Sequence, residues 1–576
     1  MQPEAKRILE CDVLVVGSGA AGLTAAVTAS HFGSRVVVAE KAPVFGGTSA
    51  WSGGWLWIPR NPLALAAGIH EPPGEAMRYL RGELGNRAGD PRLPMFLANG
   101  PEMVQFLQDH AALRWIDGNR VPDFHETPGA RTGGRSVSAA PYDARELGSW
   151  IGKLRPPLGV VSLWGAGIGP ASDMRHFFDA LRKPASAFYV GRRVAGIARD
   201  RLLHGRPMRL ANGNALVARL LRSALDKGVM LIDSAPVVEL LQEGERVVGA
   251  RLSGPDGETL VRASAGVVLA SGGFPHDPER LERWAAVAGG REHRSAAPRS
   301  NTGDGLRLAE TVGARVEAGL ASNVAMAPVS LVAGPNGASI AFPHLVDRAK
   351  PGIIAVTPGG RRFVSEADSY HDFMAALAAA TPQGAYPTGW LIADHKAQRR
   401  WGLGWAKPFP FPLGRALRSG YLKRGRDITE LAQACSIPEG ALEATLARFN
   451  QGAAQGVDPD FHRGESPYNK VQGDDRHRPN PSLAPLAKGP FYAVRIVPGS
   501  LGTFGGLRTD TLARVLGAGG DPIPGLFAVG ADMASIMGGH YPAGGITLGP
   551  GMTFGYIAGR FLAGQPVTGP TRECRT

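Results

Sequence analysis

Between Asp12 and Glu40 the chain reads as strand, glycine turn, helix and strand, an order that few folds accept. Asp12-Val13-Leu14-Val15-Val16 is an apolar run of the kind buried on both faces of a parallel sheet. Gly17-Ser18-Gly19-Ala20-Ala21-Gly22 follows at once, then an Ala-rich helix from Leu23 to Ser30. A second run, Arg35-Val36-Val37-Val38-Ala39, ends at Glu40, 18 residues past the third glycine. This is G-x-G-x-x-G in the setting of a dinucleotide site. The first Gly makes the turn, the second lets the backbone approach a pyrophosphate, and the third lets helix and sheet pack closely. The phosphates are expected at the helix N-terminus and the ribose hydroxyls on Glu40.

A chain of 576 residues exceeds one ordinary domain, so at least two are expected. Lys and Arg outnumber Asp and Glu by 63 to 50, a formal charge of +13. The basic residues are scattered, apart from a denser stretch at Arg415, Arg418, Lys423, Arg424 and Arg426. No basic tail or repeat accompanies them, which argues against nucleic acid and for an anionic cofactor, substrate or membrane surface. Cys11, Cys435 and Cys574 are too few and too far apart for a disulfide framework or a zinc site, and no metal is expected. The opening Met1–Arg7 stretch lacks the apolar segment of a signal peptide, and no run of 18 apolar residues occurs. The expected location is cytoplasmic, with peripheral attachment to the inner face of the membrane left open.

The next segment bears on which dinucleotide is bound. Lys41-Ala42-Pro43-Val44-Phe45-Gly46-Gly47-Thr48-Ser49-Ala50-Trp51-Ser52-Gly53-Gly54 resembles the second flavin-contacting loop of the succinate dehydrogenase and fumarate reductase flavoproteins. Covalent members place a His beside the Thr; Thr48-Ser49-Ala50 stands here instead, which implies non-covalent FAD. The resemblance also implies a return to the FAD domain at the C-terminus. Gly530 and Asp532 end one buried strand there, and Gly545-Ile546-Thr547-Leu548 leads into a helix whose N-terminus faces the flavin. Val237 near adenine, Ala270-Ser271-Gly272 and Asp304 complete the expected cofactor contacts. The fold class that follows is α/β (α+β overall): a discontinuous Rossmann-type FAD-binding domain at 1–324 and 493–576, with an inserted substrate or catalytic domain at 325–492. Within the insert, Trp390, Trp401, Trp405, Phe409 and Phe411 are either ordinary packing or an apolar wall for a flat substrate.

Fumarate reductases bind a dicarboxylate through Arg and His; the corresponding positions here hold Tyr370, Tyr541 and Gly502. Without bidentate Arg contacts a small dicarboxylate is not the substrate. The chain instead resembles the 3-ketosteroid Δ1-dehydrogenases over essentially its whole length. Met208-Arg209-Leu210-Ala211-Asn212-Gly213, Arg448-Phe449-Asn450, Phe461-His462-Arg463-Gly464-Glu465-Ser466 and Gly505-Gly506-Leu507-Arg508-Thr509-Asp510 carry that likeness beside the two tyrosines. The resemblance implies that the Tyr541 hydroxyl and the Gly545 N–H polarise a C3 carbonyl, while Tyr370 as tyrosinate takes a C2 proton and hydride leaves C1 for flavin N5. A free Tyr titrates near 10, and in the family a further Tyr from an Asp-Tyr-Tyr segment supports the base. Pro122-Asp123-Phe124-His125 stands there in this chain. Phe124 or His125 replaces that Tyr, and a cationic His125 bonded to Tyr370 would depress it.

The expected activity is C1–C2 dehydrogenation of a 3-ketosteroid, with electrons passing to a quinone or other diffusible acceptor. One alternative is a related dehydrogenase or ene-reductase acting at another ring position, such as Δ4, or on a non-steroid cyclic ketone. Another is a basic membrane- or nucleic-acid-binding flavoprotein without this chemistry. His371 and His540 read as ordinary loop residues, Asp372 as a solvated or capping charge, and Arg361-Arg362 as a turn-exposed pair.

Overall fold

The computed structural model describes residues 7–169, 171–180, 182–255 and 257–570, so most of the Met1–Arg7 stretch and Cys574 lie outside the described residues. The strand Arg7–Val16 lies inside an eight-stranded sheet, parallel to Val36–Ala39 on one side and Gly257–Leu269 on the other. Met230–Ile232 extends it past Val36–Ala39, and Pro522–Ala528 adds in parallel beside Gly257–Leu269. An antiparallel hairpin, Val237–Glu243 and Arg246–Gly254, hangs from the first half of Gly257–Leu269. Val13, Leu14 and Val15 are fully buried because helices cover this part of the sheet, and the helices Ala20–His31 and Leu548–Leu562 pack against one another there. Every parallel strand of this sheet therefore ends at the same edge, where Gly17, Glu40, Ala270 and Val529 follow directly.

The second sheet has seven strands. Val324–Ala333 pairs antiparallel with Ser339–Pro343 and Phe491–Thr503, and Gly389–Ala393 joins Phe491–Thr503 to Ile353–Val356. Phe491–Thr503 is the hub, since Leu422–Gly425 and Arg294–Ser295 also pair with it. The expected boundary at 492/493 thus cuts through a strand, and the chain rejoins the first sheet only at Arg514–Leu516 and Pro522–Ala528. Phe491–Thr503 is apolar like any buried strand, so its pattern does not reveal which sheet it enters. The Arg361-Arg362 pair is also corrected. Arg362 is not turn-exposed but buried between Glu366 and Asp458 at 2.8 Å from each. No helix among the described residues is long and apolar enough to cross a membrane.

Candidate active site

The strand ends open into a cavity of about 1620 Å³. A single small-molecule site measures roughly 300–1,000 Å³, so this one has room for a dinucleotide and a second ligand. Gly17 has φ of +108°, and a Cβ there would lie 2.3 Å from the Ala270 carbonyl oxygen. The turn exists because no side chain separates the two strand ends. The helix Ala20–His31 begins at Gly19 with no acid in its first turn, leaving the Ala21 and Gly22 N–H groups for an anion. Ser49 Oγ accepts from Ala20 N–H at 3.0 Å and so ties the second loop to the first.

Glu40 accepts from Ser18 N–H (3.1 Å), Ser18 Oγ–H (2.5 Å) and Ala42 N–H (2.9 Å). A carboxylate offers about four lone pairs, so one remains for a ribose hydroxyl on the cavity side. Asp304, at the start of the helix Asp304–Thr311, is held by Lys41 Nζ at 2.5 Å. Every residue expected to hold the cofactor lines this one cavity, from Gly17 to Ala21, through Glu40, Lys41, Gly47 to Ser49, Ser52 to Gly54, Val237, Ala270 to Gly272 and Asp304, to Gly530 and Gly545 to Leu548, except two. Gly22 packs where a Cβ would lie 2.4 Å from the Gly17 carbonyl oxygen, as expected of the third glycine. Asp532 is the other residue that does not line the cavity. It is fully buried and holds the turn behind the cavity wall by accepting from Ser271 N–H (2.5 Å), Ser271 Oγ–H (3.0 Å) and Gly273 N–H (2.8 Å). Burial raises its pKa. Thr503 Oγ1, buried and without a partner among the described residues, also lines the cavity and offers a hydroxyl to the bound group. The cradle fits FAD.

Deeper in the same cavity, Tyr370 and Tyr541 meet edge to face with ring centroids 5.0 Å apart. Tyr370 is the first residue of the helix Tyr370–Ala379, capped by Ser369 Oγ accepting from Asp372 N–H. Phe124 closes the cluster: it stacks on Tyr541 (5.8 Å, 14°), meets Tyr370 edge-on (5.8 Å) and touches Tyr468 (4.4 Å). Burial pushes Tyr541 up to about 12, so its hydroxyl is protonated at neutral pH and able to donate. Burial, then the neighbouring Tyr541, holds Tyr370 well above 10. Gly545 lies across the cavity wall with φ of +101°, held against the Trp55–Trp57 backbone; its carbonyl accepts from Trp57 N–H. Its own N–H donates to no described residue.

Residues 12–548 match the family described as FAD binding domain. The chain belongs to that family. It is an FAD-dependent oxidoreductase, and its full-length relatives narrow the class. It is 38% identical over 561 residues to 4-oxocyclohex-2-ene-1-carboxylate 5-dehydrogenase of Sinomonas cyclohexanicum, covering 97% of this chain and 94% of the relative. It is 36% identical over 572 residues to 3-oxosteroid 1-dehydrogenase of Mycolicibacterium smegmatis, covering 96% and 97%. A crystal structure of 3-ketosteroid delta1-dehydrogenase from Sterolibacterium denitrificans, in complex with 1,4-androstadiene-3,17-dione, superposes with a TM-score of 0.87 at 33% identity, covering 96% of this chain and 99% of that one.

Within this family member, His125 does not bond to Tyr370. Its Nδ1 pairs with Glu83 Oε2 at 2.5 Å and its Nε2 with Asp372 Oδ2 at 2.8 Å. Phe124 faces the tyrosines while His125, at the same bend, faces Glu83 and Asp372. Burial alone would lower His125, but the bonds and charges of Asp372 and Glu83 outweigh it and raise the pKa to about 10. The imidazolium clamps the loop to the Tyr370 helix and to the helix Glu75–Leu84. The loop is fixed from below as well: Asp123 accepts from Trp57 Nε1–H (2.8 Å) and pairs with the buried Arg135 (2.6 Å).

The clamp gives stability a pH dependence. The folded pKa of about 10 lies above the ordinary 6.5, so its contribution is complete below pH 6.5 and lost as the pH rises to 10. Denaturant titrations of wild type and His125→Asn should therefore differ most near pH 6 and converge near pH 10. A constant gap would refute the clamp.

Asp372 is neither a free solvated charge nor the cap: its N–H is bonded by the capping Ser369, and its carboxylate accepts from Ser369 Oγ–H and pairs with His125. His371 lies in the helix, not in a loop; its Nδ1 accepts from Met326 N–H (3.2 Å), and burial lowers it to about 4. Of the five aromatics singled out in the insert, only Trp401 reaches the cavity, while Trp405 packs on Tyr421 and Phe409 is exposed. Two functional candidates escaped the sequence reading. Tyr468 stands two residues after the Phe461–Ser466 motif, the only signal that could have found it. Thr503 had none.

Proposed function

We propose that this chain oxidises a cyclic ketone, introducing a carbon–carbon double bond beside the carbonyl at the position equivalent to C1–C2 of a 3-ketosteroid. The observation that carries the reading is the meeting of Tyr370 and Tyr541 in the cofactor cavity, opposite a Gly545 N–H without an acceptor. Tyr541 Oη–H and Gly545 N–H donate to the ketone oxygen and stabilise the negative charge that gathers there as the adjacent carbon loses its proton. Tyr370 Oη receives that proton. Bound FAD supplies the acceptor for the hydride from the next carbon, so the two hydrogens leave as one proton and one hydride. Phe124, Tyr468 and Phe504 keep water from the two hydroxyls, which strengthens both hydrogen bonds.

A non-steroid ketone is the second reading. The relative from Sinomonas cyclohexanicum is named for a single-ring ketone, and Phe124 stands in place of the hydroxyl expected beside the base. Mixing the holoenzyme anaerobically with 3-ketosteroids and with substituted cyclohexanones decides between the two. Flavin bleaching with a new ring double bond in the product identifies the scaffold, and an oxidised flavin with every ketone rejects both. Tyr541→Phe should lower the flavin-reduction rate about 10²–10³-fold, the worth of one oxyanion donor. Undiminished reduction would remove Tyr541 from the mechanism.

A further inference from the structure

We propose that the substrate carries a carboxylate and that Arg120 receives it, an assignment that rests on the cyclic-ketone reading above. Six Lys and Arg side chains line the cavity: Lys41, Arg120, Arg175, Lys350, Arg400 and Arg476. Five have partners. Lys41 pairs with Asp304, Arg175 with Asp475, Arg400 with Asp474 and Arg476 with Asp179. Lys350 is buried and donates to the carbonyls of Gln472 (2.6 Å) and Gly473 (2.7 Å). The Arg120 side chain makes no ion pair or hydrogen bond among the described residues. Of the two carboxylates nearest in sequence, Asp117 accepts from Asn119 N–H at 3.2 Å and Asp123 pairs with Arg135, and neither forms an ion pair with Arg120.

The turn that presents Arg120 is preformed. Gly118 N–H donates to the Ser136 carbonyl (2.8 Å) and Val121 N–H to the Gly118 carbonyl (2.8 Å). A Cβ on Gly133 would lie 1.9 Å from the Asn119 carbonyl oxygen, so the turn is pressed against its neighbour. Beside Arg120, Asn119 also lines the cavity, and its side-chain amide N–H donates to no described residue, which leaves it free for the same anion. The backbone of the turn is thus ordered before binding, and the exposed Arg120 side chain is what binding orders. Phe124, whose ring touches both tyrosines, stands four positions after Arg120, and four extended steps span at most about 14 Å. The geometry therefore accommodates a ketone held at Tyr541 with an anionic substituent at the far side of the ring system. The relative from Sinomonas cyclohexanicum, named for an oxocyclohexene carboxylate, combines those two groups in one molecule.

The test compares acids with neutral isosteres on two scaffolds: 4-oxocyclohexanecarboxylate against its carboxamide, and a 3-ketosteroid bearing a D-ring carboxylate against its methyl ester. The holoenzyme is assayed as wild type, Arg120→Gln and Arg120→Lys, by flavin bleaching and by dissociation constants from perturbation of the flavin band. Wild type is expected to prefer the acid on the scaffold it uses. Arg120→Gln should lower kcat/KM for the acid about 10- to 100-fold, mainly through KM, the worth of a charge-assisted hydrogen bond. The neutral isostere should change less than about threefold, and Arg120→Lys should recover part of the loss. Equal use of acid and isostere by wild type, equal losses on both in Arg120→Gln, or an acid preference that survives Arg120→Gln would each overturn the assignment. Acid-selective binding that Arg120→Gln abolishes, without turnover of any ketone, would support the anion site and sink the dehydrogenase reading. Turnover without acid preference would do the reverse, and an absence of binding by either class would reject both.

Discussion

Tyr370→Phe is expected to reduce the rate of flavin reduction by about 10³-fold, within the 10²–10⁴ typical of a positioned general base. The protein should otherwise be unchanged. Tyr370 is buried by its ring contacts with Phe124 and Tyr541, and a phenylalanine keeps both. Only the hydroxyl is lost, so flavin content, thermal midpoint and ketone dissociation constant should stay close to wild type. Burial holds Tyr370 well above 10, which makes its tyrosinate scarce at neutral pH. The reduction rate of wild type should therefore climb with pH through the alkaline range, and this climb should vanish in the variant. Single-turnover kinetics between pH 6 and pH 9 measure both effects. A variant that reduces flavin at the wild-type rate, or a flat wild-type profile, would assign the proton to another group. The same alkaline range weakens the His125 clamp, so rate and stability should move in opposite directions as the pH rises.

The second large effect is expected at Gly17. Gly17→Ala places a methyl carbon where 2.3 Å separates it from the Ala270 carbonyl oxygen, at a φ of +108° that side chains rarely adopt. Neither atom can give way easily, because Ala270 N–H is itself bonded to the Val16 carbonyl at 2.8 Å. Strained backbone costs about 1–3 kcal/mol by itself, and the clash adds to it by pushing apart the strand ends that line the cofactor cavity. The variant should be purified with at least tenfold less FAD per chain than wild type. Gly33→Ala supplies the control, since its φ is +93° but nothing lies within 4 Å of the added carbon. It should lose some stability and keep its FAD. If both variants retain full flavin, the close approach at Gly17 is not needed for binding.

Much of the site was legible because its parts are local. A glycine turn between two apolar runs, with an acid ending the second, specifies strand, turn, helix and strand within 29 residues, and the structure places these elements as read, with the turn and Glu40 on the cavity wall. Tyr370 and Tyr541 were legible for another reason: each stands in a short motif where related flavoproteins carry a different ligand. The supporting residue was not legible. Phe124 and His125 are adjacent, and no periodicity says which of them faces the tyrosines.

That choice is made by contacts far apart in the chain. His125 turns toward Asp372, 247 residues away, and Glu83, while Phe124 N–H donates to the Pro542 carbonyl at 2.9 Å. The same holds for the strand Phe491–Thr503, claimed by the second sheet through partners more than 90 residues distant. It holds too for Asp532, drawn inward by the Ser271–Gly273 turn. The sequence by itself determined the turn, the helix, the apolar strands and the identities of the two tyrosines, because backbone conformation and hydrophobic period are properties of neighbouring residues. The tertiary structure alone decided which side chains face the cavity and which are spent on each other, because a charge or hydroxyl is satisfied by whatever partner the packed fold brings within 3 Å.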